Sequence, residues 1–307
     1  MIRKNKKVVV TGGAGFIGSN LTAELTLRGY KVCVIDDLST GKRNLIPKKV
    51  AFYKTDIRDF SSLLKVFKKI KPDEVYHLAA HSRVRTSIDD PLDSLSRNVV
   101  GTGNVLEASR QTGVKRVVFT SSSAVYGSPK ESPFREEMKI MPESPYGAHK
   151  YAGEGLCELY TKLYKLPTVV LRLFNAYGPN QPSLGPSAVV IPIFLGLRKK
   201  WKPIEILGSG EQSRDFVHTK DICSALVKAM ENPKLGKAEV INVGSGKAVS
   251  IKKIAELIGG KIIYKKAAVE QLHTWANINK AKRLLNWKPS VSLEAEIKKY
   301  KKEWGIS

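Results

Sequence analysis

The stretch TGGAGFIGSN, which begins at Thr11, constrains the fold of this chain more than any other. It follows the apolar run KKVVVT and places Gly12, Gly15 and Gly18 three residues apart. Glycines at this spacing permit a tight turn from a strand into a helix, where backbone N–H groups can approach a pyrophosphate. Asp36 ends the next apolar run, where a carboxylate accepts hydrogen bonds from a ribose diol and repels a 2′-phosphate. Although glycines alone also suit a structural turn, together these residues predict a site for NAD rather than NADP.

Short apolar runs alternate with amphipathic stretches through the first half of the chain. The predicted strands lie at residues 6–11, 30–35, 50–55, 73–78, 115–120 and 168–174. The predicted helices lie at residues 16–28, 61–70, 91–112 and 145–164. Nearly continuous apolar strands separated by helices are typical of a parallel sheet covered on both faces. The first half is therefore expected to form a doubly wound parallel (Rossmann) sheet of the α/β class.

The alternation stops after residue 173, where a Pro/Gly-rich segment begins. Beyond it we expect a helix near 190–199, a strand at 204–207 and two or three short C-terminal helices. The apolar run near 239–243 has the character of a strand that returns to the sheet. The chain is thus expected to divide into an NAD-binding domain over 1–173 and a smaller α/β substrate lobe over 174–307.

Composition limits the classes of protein to which the chain can belong. Of its 307 residues, 42% are hydrophobic and 26% are charged, and no segment approaches the roughly 18 uncharged apolar residues of a membrane span. Three cysteines without disulfide or metal spacing favour a reducing cytoplasm, and the five histidines also lack a metal-site spacing. The formal net charge of +24 comes from basic runs without interleaved aromatic residues, which favours a lysine-rich surface over specific nucleic-acid binding. We therefore expect a cytoplasmic protein with no metal, membrane or nucleic-acid partner.

The chain contains two Tyr-x-x-x-Lys patterns, and only one of them suits a helix. In the first, Tyr126 to Lys130, the intervening Pro129 disfavours helix at the residue before it. The tyrosine and the lysine of that pattern should therefore not share a helical face. We interpret Tyr126 as a chance match.

In the second pattern, Ser144 can cap a helix and Pro145 suits its first position. Tyr146 and Lys150 then lie one turn apart on the same side. A free tyrosine has a pKa near 10, and a neighbouring ammonium, the helix N-terminus and a cationic nicotinamide would all lower the pKa of Tyr146. The alternative is an exposed tyrosine beside a solvated lysine, but the glycine pattern favours a reactive pair.

The chain resembles the extended short-chain dehydrogenase/reductases, and among them the NAD-dependent nucleotide-sugar epimerases of the UDP-glucose 4-epimerase type. The matching stretches follow the family order and span essentially the whole chain: TGGAGFIG, VIDDLSTG, YKTDIRD, HLAAHSRVRTSIDDP, NVVGTGNVLEAS, TSSSAVYG, PYGAHK, RLFNAYGP and SRDFVHTKD. This resemblance implies epimerisation at carbon 4 of a nucleotide sugar, of the UDP-glucose/UDP-galactose type. The sugar would be oxidised transiently to a 4-keto sugar and would receive hydride back on its other face.

The resemblance also implies catalytic roles for three residues. Ser122 would hydrogen-bond the reacting sugar oxygen, although the residues alone do not distinguish it from Ser121 and Ser123. Tyr146 would be the base, and Lys150 would hold both its charge and the nicotinamide ribose. Related dehydratases and decarboxylases carry a glutamate two residues before the tyrosine of VYG, where this chain has Ala124, so simple epimerisation is preferred.

The same resemblance implies the residues that surround the two ligands. The cofactor contacts would be Gly12, Gly15, Phe16, Ile17, Gly18, Asp36, Asp37, Ser39, Thr40, Gly41, Asp56, Ile57, Leu78, Ala79, Ala80, Asn98, Tyr146, Lys150 and Phe174. The substrate contacts would be Val84, Ser122, Tyr146, Asn175, Val190, Leu207, Arg214, Phe216 and Thr274. Asn175 and Arg214 would contact the diphosphate, whose oxygens match a guanidinium fork, but pairing of Arg214 with Asp215 is equally compatible with the sequence.

Two departures from the family leave the sugar and the nucleotide open. The segment Ala267–Glu270 replaces an Arg-Pro-Gly-Asp motif whose arginine grips the diphosphate, so that Lys265 or Lys266 would have to substitute for it. Thr274 is smaller than the tyrosine common in galactose-type enzymes, which leaves room for an N-acetyl group and makes UDP-GlcNAc/GalNAc an alternative.

Further alternatives concern a charged sugar, a different class of protein and the oligomeric state. Arg83 and Arg85 could meet the carboxylate of a UDP-glucuronate substrate, although surface placement is favoured. A non-catalytic NAD(H)-binding regulator is the alternative of another class. In the family, helices matching residues 91–112 and 145–164 form a four-helix bundle, so a homodimer is expected.

Overall fold

The computed structural model of the protein describes residues 6–182, 189–266 and 273–306. The strands are β1 (Lys7–Thr11), β2 (Lys31–Asp36), β3 (Ala51–Lys54), β4 (Glu74–His77), β5 (Arg116–Ser122), β6 (Thr168–Leu173), β7 (Asn175–Tyr177), β8 (Ile204–Leu207), β9 (Ser213–Arg214), β10 (Phe216–His218), β11 (Lys237–Val243), β12 (Val249–Ser250), β13 (Ile262–Lys265) and β14 (His273–Thr274). The helices are α1 (Phe16–Leu27), α2 (Phe60–Ile70), α3 (Val84–Asp89), α4 (Pro91–Leu95), α5 (Gly101–Gln111), α6 (Pro145–Tyr164), α7 (Val190–Lys199), α8 (Thr219–Glu231), α9 (Ile251–Ile258), α10 (Asn279–Leu285) and α11 (Leu293–Glu303).

Seven parallel strands form the central sheet, in the order β11-β6-β5-β4-β1-β2-β3. The order reverses between β1 and β4, and the carboxyl ends of the strands at such a switch point form a crevice for ligands. The doubly wound α/β fold expected from the sequence is confirmed. Strand β11 lies in the region of the predicted returning strand and pairs with β6, whereas the domain boundary at residue 173 stays a prediction.

The inner strands of the sheet, β1, β4, β5 and β6, are largely buried, as their nearly continuous apolar sequences require, whereas the edge strand β3 is partly exposed. On one face, Val8 and Val10 of β1 belong to the same buried cluster as apolar residues of α1 and α8. On the other face, Val9 lies in a second cluster with residues of α2, α5 and α6. A third cluster, built from α7, β8, α9 and α11, forms the core of the C-terminal lobe. Among the described helices, none has the length and apolar character that crossing a membrane requires.

Three helical features differ from the prediction, and the longest is α8 (Thr219–Glu231), which was not expected. The single helix expected over 91–112 consists of α4, a π-helical turn at Ser96–Val100, and α5. The short helix α3 was missed because no side chain caps it and its sequence, VRTSID, contains β-branched residues. Its Ser87 Oγ accepts a hydrogen bond from the backbone N–H of Tyr146 at 3.0 Å. A tertiary contact thus supports a helix that local sequence alone does not predict.

Candidate active site

One cavity of about 1420 Å³ opens at the carboxyl ends of the central strands and extends toward α7, β8 and β9. It contains the glycine turn after β1, the ends of β2, β4 and β5, and the first turn of α6. All nine expected substrate contacts line it: Val84, Ser122, Tyr146, Asn175, Val190, Leu207, Arg214, Phe216 and Thr274. Residues that are far apart in the sequence therefore meet around a single space.

The glycine turn leaves the N-terminus of α1 accessible to a ligand. Gly12 has a positive φ of 69°, and a Cβ there would lie 2.6 Å from the backbone nitrogen of Ala79. A Cβ on Gly18 would lie 2.0 Å from the carbonyl oxygen of Gly12. Gly15 is the N-cap of α1 and has no side chain to cover the end of the helix. This cradle suits a pyrophosphate bound by backbone N–H groups.

Asp36 lies buried at the end of β2, where its carboxylate is held by the backbone. Its Oδ2 accepts a hydrogen bond from Ala14 N at 2.9 Å, and its Oδ1 accepts one from Leu38 N at 2.8 Å. Burial raises the pKa of Asp36, while these two bonds act in the opposite direction. The carboxylate remains on the cavity wall, so the residues present fit the adenosine ribose of a dinucleotide.

Most of the expected cofactor contacts line the cavity: Gly12, Gly15, Phe16, Ile17, Gly18, Asp36, Asp37, Ser39, Thr40, Asp56, Ile57, Leu78, Ala79, Ala80, Tyr146, Lys150 and Phe174. Gly41 and Asn98 lie behind the wall instead. A Cβ on Gly41 would lie 2.8 Å from the Cβ of Ala14. The buried Asn98 accepts a hydrogen bond from His81 N at 2.7 Å and donates one to His81 O at 3.0 Å. Both residues therefore shape the cavity from outside.

Sequence reasoning did not identify Arg97 as part of this region. It lines the cavity, donates from Nη1 to Asp37 at 2.9 Å and pairs with Asp93 at 2.7 Å. The hydrogen bond from Ser39 and the charge of Arg97 help to hold the pKa of Asp37 below its usual value in spite of burial. The i,i+4 spacing of Arg97 from Asp93 was the one sequence signal for the position of Arg97, but that pattern is common on exposed helices.

The first turn of α6 is built as the Ser-Pro pair predicts. Ser144 is the N-cap and accepts a hydrogen bond from Gly147 N at 3.1 Å, and Pro145 begins the helix. Lys150 is buried, and its Nζ donates to Thr120 O at 2.8 Å and lies 4.9 Å from the ring centroid of Phe119. Burial lowers the pKa of Lys150 to about 8. The ammonium is thus fixed against β5 at the inner end of the cavity.

The direction predicted for the pKa of Tyr146 is wrong for the described protein. Burial is the largest influence and raises the pKa of the phenol. A hydrogen bond with the side chain of Ser122 and the positive charge of Arg83 lower it, but they do not offset burial. Desolvation disfavours the charged form of any buried group, and this cost depends on packing that the motif does not reveal.

Tyr126, the tyrosine of the other pattern, lies in the core. It is 1% exposed, ends a 3₁₀ turn and donates to Asn242 Oδ1 at 2.7 Å. Burial raises the pKa of Tyr126 to about 12. Its hydroxyl is therefore a structural hydrogen-bond donor, in agreement with the interpretation of this pattern as a chance match.

Arg83, the N-cap of α3, and Arg85, the second residue of that helix, have different surroundings. Arg85 borders the cavity, but its side chain is 83% exposed and pairs with Asp89 at 3.3 Å, in agreement with the expected surface placement. For Arg83 that expectation is wrong, because its side chain is half-buried, lines the cavity and interacts with Tyr146. Its position follows from the docking of α3 on α6, which no local pattern indicates.

The outer end of the cavity is formed by the small sheet β12-β9-β14. Arg214 lines the cavity there and donates from Nη1 to Ser213 O at 3.0 Å. Asp215, the alternative partner of Arg214, is buried, and its carboxylate accepts hydrogen bonds from the backbone of Ser245, Gly246 and Ala276.

The lysines proposed as substitutes for the missing diphosphate arginine lie at the end of β13, with Lys265 as its last residue and Lys266 directly after it. Lys265 pairs with Glu205 at 2.7 Å, and Ala267–Glu270 lies outside the described residues. Within the ranges that the structure covers, no group of three or more histidine, cysteine or acidic residues could hold a metal ion.

The cradle predicts that Gly18→Ala weakens dinucleotide binding by roughly 5- to 150-fold. The added Cβ would meet the Gly12 carbonyl at 2.0 Å, and relieving such overpacking costs about 1–3 kcal/mol. Titration calorimetry with NAD measures the loss. Gly196→Ala in α7 is the matched control, because a Cβ there meets no atom within 4 Å. Equal NAD affinity of both variants and the parent would contradict the assignment of the cradle.

Comparison with known proteins identifies relatives along the whole chain. The model of the NAD dependent epimerase/dehydratase family matches residues 8–244. The UDP-glucuronate 4-epimerase of Thermodesulfobacterium geofontis is 37% identical over 312 residues, which cover 95% of this chain and 94% of that protein. The UDP-glucose 4-epimerase of Mycolicibacterium smegmatis is 35% identical over 306 residues, covering 95% and 96%. The structure of UDP-glucose 4-epimerase with UDP-glucose from Thermotoga maritima matches with a TM-score of 0.92 at 34% identity, covering 97% of this chain and 99% of that one.

Proposed function

The chain belongs to the NAD-dependent epimerase/dehydratase family, and from this premise we propose that it is an isomerase that inverts carbon 4 of a UDP-sugar with NAD. The preferred substrate pair is UDP-glucose and UDP-galactose. The observation that carries the proposal is that Ser122, Tyr146 and Lys150 lie on the wall of the cavity into which the glycine turn also opens. A site for a nicotinamide cofactor and a proton-transfer group are thereby combined in one space.

The residues at the inner end of the cavity are suited to moving one proton. Tyr146 takes the proton of the 4′-hydroxyl when carbon 4 is oxidised and returns it when the keto sugar is reduced. Ser122, whose Oγ accepts a hydrogen bond from Ala124 N at 3.2 Å, orients the same sugar oxygen. The charge of Lys150 favours the phenolate and positions the nicotinamide ribose. The chemistry that bound NAD supplies is reversible hydride acceptance, so no net oxidation occurs.

The identity of the sugar is the open part of the proposal. Ala124 lines the cavity where related dehydratases carry an acid, which supports simple epimerisation. Thr274 is a small cavity residue and leaves room for an N-acetyl group, and the half-buried Arg83 could meet the carboxylate of a glucuronate. UDP-GlcNAc/GalNAc and UDP-glucuronate are therefore the alternatives to UDP-glucose.

A substrate panel tests the function directly. The purified protein is incubated with NAD and each of UDP-glucose, UDP-GlcNAc, UDP-glucuronate and a TDP-sugar, and NMR identifies the inverted centre. Inversion at carbon 4 without a stable keto product is expected for at least one UDP-sugar. Release of carbon dioxide or accumulation of a keto sugar would assign the chain to another reaction. Bound NAD without any turnover would favour a non-catalytic regulator.

We also infer that the protein forms a homodimer through α4, α5 and α6. Apolar side chains of α4, of the π-helical turn before α5 and of α6 face solvent in the single chain, with Leu92 74% and Leu163 60% exposed. An apolar surface formed by several helices is typical of an interaction site, and identical patches pair in a twofold dimer. Leu163→Glu is expected to shift the protein from dimer to monomer in size-exclusion chromatography with light scattering. Leu27→Glu on α1, at an 84% exposed position, is the control and should not change the mass.

The cytoplasmic location stays a prediction. It is supported by Cys33, Cys157 and Cys223, which are all free thiols, as is usual where the compartment is reducing.

A further inference from the structure

Arg83 brings a second positive charge to the reacting end of the cavity. It is half-buried, lines the cavity together with Ser122 and Tyr146, and is the N-cap of α3. The carbonyl oxygen of Arg83 accepts a hydrogen bond from Ser87 N at 3.1 Å, and Ser87 Oγ accepts one from Tyr146 N at 3.0 Å. Two successive hydrogen bonds therefore tie the backbone of Arg83 to that of Tyr146.

Lys150, the cation expected to act on the phenol, is directed toward the sheet. Its Nζ donates to Thr120 O at 2.8 Å and lies 4.9 Å from the centre of the Phe119 ring. Burial also lowers the pKa of Lys150 to about 8, so it loses charge in mildly alkaline solution. A guanidinium keeps its charge throughout the working range of an enzyme. Arg83 is thus the cation whose charge near Tyr146 does not change with pH.

We propose that Arg83 is a positioning residue that stabilises the phenolate form of Tyr146 and so shares the electrostatic role assigned to Lys150. The inference deepens the proposed function and rests on it, because it concerns the group that would take the proton of the sugar hydroxyl. A fixed positive charge favours the deprotonated form of a nearby acid. Burial of the phenol works against that form, and the charge of Arg83 acts in the opposite direction.

The other charged groups on the surrounding elements have partners away from the phenol. On α3, Asp89 pairs with Arg85, and on α4, Asp93 pairs with Arg58, Arg97 and His81. Before α6, Glu143 accepts a hydrogen bond from Ser128. On α6, His149 contacts Ser94, and Glu154 pairs with Arg172. We assign Arg83 and Lys150 to the phenol because both line the cavity together with Tyr146.

The test titrates Tyr146 in the NAD-saturated protein. Ionised tyrosine is followed by ultraviolet absorbance. For each variant, a second protein that also carries Tyr146→Phe is titrated, and its curve is subtracted to leave the signal of Tyr146. Arg83→Gln is expected to move the pKa of Tyr146 upward by about one unit. Arg83→Lys should retain most of the parent value. Arg85→Gln, two residues away on an exposed side chain paired with Asp89, should leave the titration unchanged.

The outcomes separate a charge effect from a packing effect. An unchanged titration in Arg83→Gln, or an equal shift in Arg85→Gln, would overturn the inference. Should the glutamine variant fail to fold, as judged by circular dichroism, Arg83→Met keeps the aliphatic stem and tests the same charge. The titration needs no substrate, so it remains readable even if the substrate panel shows no turnover. Where turnover is found, the rise of rate with pH should move to higher pH in Arg83→Gln by the same amount.

Discussion

Replacement of Tyr146 with phenylalanine is expected to lower turnover of the nucleotide sugar by about 10³-fold, because a positioned base contributes about 10²–10⁴-fold. Phenylalanine keeps the ring, the backbone hydrogen bond from residue 146 to Ser87 at 3.0 Å and the Ser144 cap at 3.1 Å. The fold and NAD binding should therefore survive. Initial rates measured by NMR, together with the stoichiometry of bound NAD, separate loss of chemistry from loss of the site.

Tyr126→Phe is the matched control, since it removes the same atom from the other Tyr-x-x-x-Lys pattern. The lost hydrogen bond to Asn242 Oδ1, 2.7 Å long, lies in the core, so the variant should lose about 1–3 kcal/mol of stability. Its turnover should stay within a few-fold of the parent. Turnover that survives Tyr146→Phe but is lost in Tyr126→Phe would reverse the assignment of the two patterns.

Features that depend on neighbouring residues in the chain were predictable from the sequence. The cap at Ser144 and the helix start at Pro145 follow from backbone rules, and α6 covers the predicted span 145–164. The glycine turn was equally clear, because only glycine tolerates the approach of Gly12 to Ala79. The alternation of apolar strands and helices was enough to indicate the doubly wound sheet.

Features that depend on packing between distant segments were not predictable. Arg83 reaches the cavity because α3 docks on α6, and the sequence of α3, VRTSID, contains no pattern that indicates this contact. The pKa of Tyr146 was expected to fall because the motif shows its charges but not its burial. Asn98 matches a family contact position, yet its buried amide holds the backbone of His81. In each case the missing information is the desolvation or the partner supplied by tertiary structure.

A buried ion pair lies behind the site, and the motifs did not indicate it. Arg172 of β6 donates to Glu154 of α6 through two hydrogen bonds, of 2.9 and 2.7 Å, and the two side chains are 4% and 5% exposed. Ser121 Oγ of β5 donates to the same carboxylate at 2.5 Å. Glu154 follows Lys150 by one helical turn, and its negative charge opposes the burial that lowers the pKa of Lys150. The pair thus joins two strands of the sheet to the helix that carries Tyr146.

Arg172→Met is therefore expected to reduce the free energy of unfolding by about 3–5 kcal/mol, because it leaves the buried Glu154 carboxylate without its counter-ion. Urea denaturation measures the loss as a lower midpoint with an unchanged slope. The double variant Glu154→Leu/Arg172→Met, which buries no charge, should recover much of the loss. Lys115→Met is the control for an exposed pair, since Lys115 contacts Asp73 at 2.9 Å from a side chain that is 70% exposed, and should cost at most about 1 kcal/mol. A double variant less stable than Arg172→Met would mean that packing and not charge sets the strength of this connection.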